Sequence, residues 1–204
     1  MLPKSSAFAT SVSPGGAFTA ATDRFQAQRL EQVFARCFAS RWRTLLAGGA
    51  EEPCYQPATD QIALHMLWYR SDYFASALHE TAHWCIAGEQ RRQLPDFGYW
   101  YAPDGRDPQR QLAFEAVEAK PQALEWLFSL ACGYHFRISV DNLGAPGGVP
   151  DTGPFRRQVL SAARELQQRG LPLRAALFFQ ALAVEFGTRL QLHDLDLELA
   201  GLAG

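Results

Sequence analysis

Apolar residues recur along this chain mainly at three- and four-residue steps, the period of a helix with one buried face. Between Asp23 and Leu46, Phe25, Leu30, Val33, Phe34, Phe38 and Leu45 keep that spacing, with Arg and Glu between them. This predicts a helix capped by Asp23 and stopped at Gly48-Gly49. Glu51 to Asp60, with Pro53 and Pro57, is a connection. Gln61 to Tyr69 is a nearly unbroken apolar run and predicts a strand entering the core. A second helix is predicted from Tyr73 to Ala87, capped by Ser71 or Asp72 and ended by Gly88. A polar, locally basic run follows, Glu89 to Gln93, broken by Pro95. The aromatic stretch Asp96 to Tyr101 suits a short strand or the wall of a site. Its Asp-Phe-Gly triplet stands without the glycine-rich phosphate loop or catalytic loop of a kinase.

Pro103 to Asp107 reads as a turn. From Gln109 to Cys132 a long helix is predicted, with Leu112, Phe114, Val117, Leu124, Leu127, Phe128 and Ala131 as its apolar positions. Pro121 should kink it, split it or start a new helix, because proline lacks the amide donor. Phe136 to Val140 alternates weakly, as a strand would. Gly144 to Pro154 is a flexible loop. Helices are expected at Phe155–Gln168 and Leu173–Phe186, and the tail from Leu190 has no clear period. There is no internal repeat. The pattern predicts an α+β fold, predominantly helical, with a small sheet and packed helices.

At 204 residues, residues 23–204 fit one domain. Met1 to Thr22, rich in Ala, Ser, Thr, Pro and Gly, reads as a disordered leader and lacks the continuous apolar stretch of a secretory signal. The net charge of −2 points to neither general nucleic-acid affinity nor a membrane-surface role. No segment reaches the length of a membrane span. Cys37, Cys54, Cys85 and Cys132 form no C-x-x-C pair, which removes a zinc ribbon. Their scatter suits reduced, mostly buried thiols in the cytoplasm. Cys85, two residues past His83, is better placed to pack under its helix than to bind metal.

The chemistry lies in the second helix. His79, Glu80 and His83 form H-E-x-x-H, a pattern expected by chance in roughly one chain in a hundred of this length, or fewer, at average residue usage. On a helix the two imidazoles lie about 40° apart and can hold one ion, with Glu80 about 100° from His79 at the rim of that face. A third ligand must come from elsewhere, because zinc takes three or four protein ligands and non-heme iron(II) commonly two histidines and a carboxylate. Glu115 and Glu118 share a helix face among apolar residues, where an uncompensated carboxylate is costly to bury. Glu118 is the preferred ligand and Glu115 the alternative, or its support, against an exposed acidic face as the plain reading. Asp96 and Asp141 are weaker candidates, Asp104 and Asp107 read as turn residues, His65 as a satisfied core or rim histidine rather than a ligand, and His193 as a surface histidine.

Several runs together resemble a known family. They are Ser76-Ala77-Leu78-His79-Glu80, His83-Trp84-Cys85-Ile86-Ala87-Gly88, Asp96 to Tyr101, Pro103 to Asp107, and Glu118-x-Lys120-Pro121-Gln122-Ala123-Leu124. They resemble the proteobacterial elongation factor P hydroxylases, and the likeness runs from about Phe25 to the last helices. The leader is longer than usual in that family and Gly144–Pro154 diverges. The resemblance implies hydroxylation of the modified, β-lysylated lysine of translation elongation factor P, with that factor as the protein partner. It implies a two-histidine, one-carboxylate site for a divalent metal on a central helix, with iron(II) favoured, zinc possible and dioxygen as co-substrate. It also implies a fold unlike the cupin oxygenases, which need many strands and an H-x-D pair absent here. His79 and His83 match the ligand positions, and Glu80 the acid of the motif. A lysyl arm needs a channel, which Trp84, Tyr99, Trp100 and Tyr101 can wall unless they are core. Arg91 and Arg92 can meet the carrier's surface, or be a solvated face. The competing readings are a zinc hydrolase, peptidase or ribonuclease, with Glu80 as general base, and a non-catalytic adaptor stapled by metal.

Overall fold

The structure is a computed structural model that describes residues 24–98, 105–142 and 151–202. The leader, Asp23, Tyr99 to Asp104 and most of the glycine-rich loop lie outside the described residues.

Helix α1, Ala27–Trp42, buries the stripe Ala27, Leu30, Val33, Phe34 and Phe38. It ends earlier than the glycines suggested. Arg43 takes a left-handed conformation with φ of 49°, and the chain turns directly into strand β1, Thr44–Ala50. Gly48 and Gly49 therefore lie in a strand, at an irregularity between Ala47 and Ala50. Gly49 has φ of 94°, and a Cβ on Gly48 would stand 2.5 Å from the Ser71 carbonyl and 2.7 Å from the Tyr69 ring. These are the demands of a bulge under a close neighbour, not of a helix end. The expected connection holds a short strand β2, Cys54–Gln56, and the expected strand is β3, His65–Arg70. The order is β1-β3-β2, with β1 parallel and β2 antiparallel to β3.

Helix α2, Phe74–Ile86, lies between β3 and α3 and also touches α1, β1 and α5. Tyr73, not Ser71 or Asp72, stands at its N-cap, and no side chain caps it. Ser71 has φ of 51°, and Ser76 Oγ accepts the Arg70 amide instead, so a tight turn out of β3 replaces the cap. At the other end the Ala87 amide donates to the His83 carbonyl, and Gly88 follows as expected.

Helix α3, Pro108–Cys132, is one helix of 25 residues that passes through Pro121 without splitting. The missing amide concerns the carbonyl of Val117, on the exposed side of the helix, where water can serve it. Asp107 caps α3 by accepting the Arg110 amide at 2.9 Å. Phe136 to Val140 is not a strand. Its backbone bonds to side chains instead, with Ser139 paired to Gln122 in both directions at 2.6 and 3.0 Å. Helices α4, Gly153–Arg169, and α5, Leu173–Glu185, pack on α3, and short turns form the tail. The fold is α+β and predominantly helical. Among the described residues no helix is long and apolar enough to cross a membrane.

Candidate metal centre

Phe74, Ala77, Leu78, Thr81, Ala82, Trp84 and Cys85 bury one side of α2. That leaves His79, Glu80 and His83 half-buried on the flank toward α3. Trp84 is fully buried, with its ring 5.1 Å from Phe34 and 4.7 Å from Phe38. It is core beneath the site and not a channel wall. Cys85 is also buried under the helix, whereas Cys54 is exposed and Cys37 only half-buried, so the thiols are less uniformly buried than expected. The α2 C-terminus is clamped by arginines. Arg174 donates to the carbonyls of Trp84, Cys85 and Ala87 at 3.0, 3.1 and 2.6 Å, and Arg92 to Ala87 at 2.7 Å. Cations there suit the negative end of the helix.

The facing helix α3 buries polar groups. Gln111, Glu115, Glu118, Gln122, Glu125 and Ser129 are all buried, at alternating steps of four and three. Two of the apolar positions assigned from the sequence, Leu112 and Val117, point outward at 63 % and 44 % exposure. The polar stripe thus faces inward along the helix, and beyond Pro121 Leu124, Leu127, Phe128 and Ala131 fill the core beside it as expected.

The stripe meets α2 at the histidines. The Nε2 atoms of His79 and His83 are 3.0 Å apart. Glu118 Oε2 lies 3.5 Å from the first and Oε1 3.3 Å from the second. One ligand atom from each residue lies within 4.8 Å of the other two. A metal bonded at about 2.0–2.2 Å to nitrogen and oxygen holds such atoms about 2.8–3.6 Å apart at tetrahedral or octahedral angles. The donor set therefore fits one divalent ion. Glu115 is not in this cluster, and its Oε1 accepts from Gln111 Nε2 at 3.1 Å. Gln111 Oε1 in turn accepts from Arg106 Nε at 3.0 Å, and the Arg106 guanidinium lies over Phe114.

Glu125 is the residue the sequence reading missed. Its Oε2 accepts from His79 Nδ1 at 2.8 Å. Its signal in the sequence is the stripe 111, 115, 118, 122, 125 and 129, polar at helical spacing beside an apolar one. Burial works against the imidazolium of His79. The hydrogen bond and charge of Glu125, then the charges of Glu118 and Glu80, outweigh it and push His79 up to about 10. Burial raises Glu125 and Glu80 above the ordinary carboxylate range, against the pull of the histidines. Glu80 forms no hydrogen bond or ion pair among the described residues, although it is close enough to exchange charge effects with both histidines, Glu118 and Glu125.

The remaining candidates lie elsewhere. Asp96 accepts the Tyr55 amide at 2.8 Å, and Asp141 is a surface residue near Arg106. His65 Nδ1 accepts the Ala58 amide at 3.1 Å and contacts Tyr55 Oη, a satisfied rim histidine, and His193 is on the surface. Arg91 donates to the Phe97 carbonyl at 3.1 Å, so each of the two arginines ties down the loop after α2. Tyr99, Trp100, Tyr101 and Asp104 lie outside the described residues.

Two histidines one turn apart, a carboxylate from the facing helix and a further carboxylate behind one histidine define a candidate metal centre in a mostly helical α+β fold. Comparison with known proteins agrees with the earlier resemblance. The family model of elongation factor P hydroxylase matches residues 33–196. A Haemophilus influenzae protein named elongation factor P lysine hydroxylase is 45% identical over 157 residues, covering 76% of this chain and 86% of that protein. The chain belongs to the elongation factor P hydroxylase family.

Proposed function

We propose that this protein hydroxylates a lysine of elongation factor P, the side chain being the modified, β-lysylated one, in a reaction that needs a divalent metal and dioxygen. The observation that supports it most is the His79–His83–Glu118 cluster, built between two helices of a chain of this family. These three residues would hold the ion, iron(II) ahead of zinc. When bound, it supplies the activation of dioxygen. One oxygen atom enters a C–H bond of the lysyl arm, and the other leaves as water with two protons and two electrons from an external reductant.

The chain's own side chains position and shield. The Nε2 atoms of His79 and His83 face inward with Glu118, and Glu115, held by Gln111, keeps its carboxylate aside. Trp84, Phe34 and Phe38 close the floor below α2 against water. Glu80, half-buried, is the catalytic carboxylate. Its oxygens hold a proton more readily than an ordinary glutamate and orient groups arriving beside the cluster. Tyr99 and Trp100 take the aliphatic arm, and Arg91 and Arg92, at the surface next to α2, face the carrier protein. With a translation factor as substrate the enzyme works in the cytoplasm and needs neither nucleic acid nor membrane as partner.

The test is the mass of elongation factor P after reaction. The wild-type enzyme adds one oxygen to the modified factor and His79→Ala does not. Unchanged mass gain with His79→Ala would sink the proposal. Removing dioxygen separates it from a zinc hydrolase using Glu80 as general base, which would go on cleaving its substrate.

A further inference from the structure

From the geometry behind the cluster, we infer that Glu125 is a positioning residue that selects the metal-ready tautomer of His79. This rests on the proposed metal site and extends it to a residue outside the ligand set. An imidazole presents a lone pair at only one nitrogen when neutral. Glu125 Oε2, 2.8 Å from Nδ1, is an acceptor when ionised. It therefore keeps the proton on Nδ1 and turns the lone pair of Nε2 toward His83 Nε2 and Glu118, at 3.0 and 3.5 Å.

The alternative tautomer would aim an N–H into the cluster and lose the charge-assisted bond behind the ring. Glu125 is buried, and its Oε2 lies 2.8 Å from His79 Nδ1. It also comes from the same helix as Glu118, two turns further on. A single rigid element thus sets both the carboxylate in front of His79 and the carboxylate behind it. This is the arrangement in which an outer carboxylate fixes ring orientation and raises ligand basicity.

A role in mere packing is distinguishable. Glu125→Gln keeps the shape and removes the charge, and its amide can donate to Nδ1, which places the proton on Nε2 where metal should bind. Glu125→Ala removes the contact. The measurement is the affinity of the purified protein for iron(II) under anaerobic conditions, and for cobalt(II), whose visible spectrum reports ligand geometry. Outer-carboxylate loss generally weakens metal affinity by about 10–100-fold, and that range is expected for Gln and Ala alike. Glu125→Asp should recover part of the affinity. Breaking this buried pair is expected to lower the melting point of the metal-free variants, so affinities are compared at a temperature where circular dichroism shows each variant folded. Wild-type affinity and an unchanged cobalt spectrum in Glu125→Gln would overturn the inference while leaving the proposed function standing. Failure of the wild-type protein to bind either ion would overturn both.

Discussion

Three residues separate this site from an ordinary helix pair. Glu118, with 2% exposure, faces the two histidines, and Glu115, one turn earlier, is occupied by Gln111. The two glutamates are indistinguishable by spacing alone, so the choice between them depends on how α3 is rotated against α2. Glu118→Gln keeps the volume but removes the negative charge that a divalent ion needs. It is expected to lose hydroxylation by at least about 100-fold, the scale of a group acting at the reacting centre, and to lose bound metal on elemental analysis. Glu115→Gln should retain metal, with activity within about threefold and stability within about 1 kcal/mol, because an amide can still accept from Gln111. Full metal content in the Glu118 variant, with loss in the Glu115 variant, would reverse the assignment.

Elements carry the next set of constraints. In α5, Glu185 joins Arg29 at 3.0 Å and Arg36 at 2.5 Å across to α1. The Arg29 hydrogen bond is the main cause that holds its carboxyl below the ordinary range, with Arg36 adding to it against slight burial. The folded state therefore prefers the ionised form. That contribution is present above the unfolded value near pH 4.3 and disappears as pH falls through the lower folded value. Glu185→Gln should cost about 1 kcal/mol at pH 7, near the upper end for a partly exposed pair. The gap to wild type should close below about pH 4 in denaturant titrations. Gly48→Ala tests the bulge in β1. Its Cβ would crowd the Ser71 carbonyl and the Tyr69 ring, so a loss of about 1–3 kcal/mol is expected, read as a lower denaturation midpoint with little change in slope.

For the whole molecule the question is whether the metal holds the fold together. The core of Phe34, Phe38, Trp84, Phe128 and Phe178 lies below α2 and does not use the histidines. Chelation should therefore leave helical circular dichroism intact and melting cooperative. Ligand at about 100 times its Kd adds about 2.7 kcal/mol, a rise of roughly 5–10 °C for a chain of this size. Collapse of the helical signal on chelation would favour the adaptor reading, in which the ion is a staple.

Much of the element map was legible because helices write a period of three to four into the chain, and α1, α2, α4 and α5 each bury a stripe that is apolar in the sequence. H-E-x-x-H was legible for the same local reason, since four residues make one turn. The sheet was less so. β1 is rich in Ala and Gly and is a strand only because β3 pairs with it, and Phe136–Val140 is drawn off by the side chain of Gln122. The orientation of α3 was also hidden. Periodicity identifies faces but does not say which face a neighbour will reward. An apolar stripe turns inward by default, but here the two imidazoles on α2 make a polar partner for the opposite stripe. The sequence alone determined that two histidines share a helix face, that acidic residues stand three apart on another helix, and that the chain belongs with hydroxylases of a translation factor. Only the tertiary structure decided that Glu118 rather than Glu115 meets them and that Glu125 stands behind His79, because both depend on the rotation of one helix against another, which side-chain packing sets.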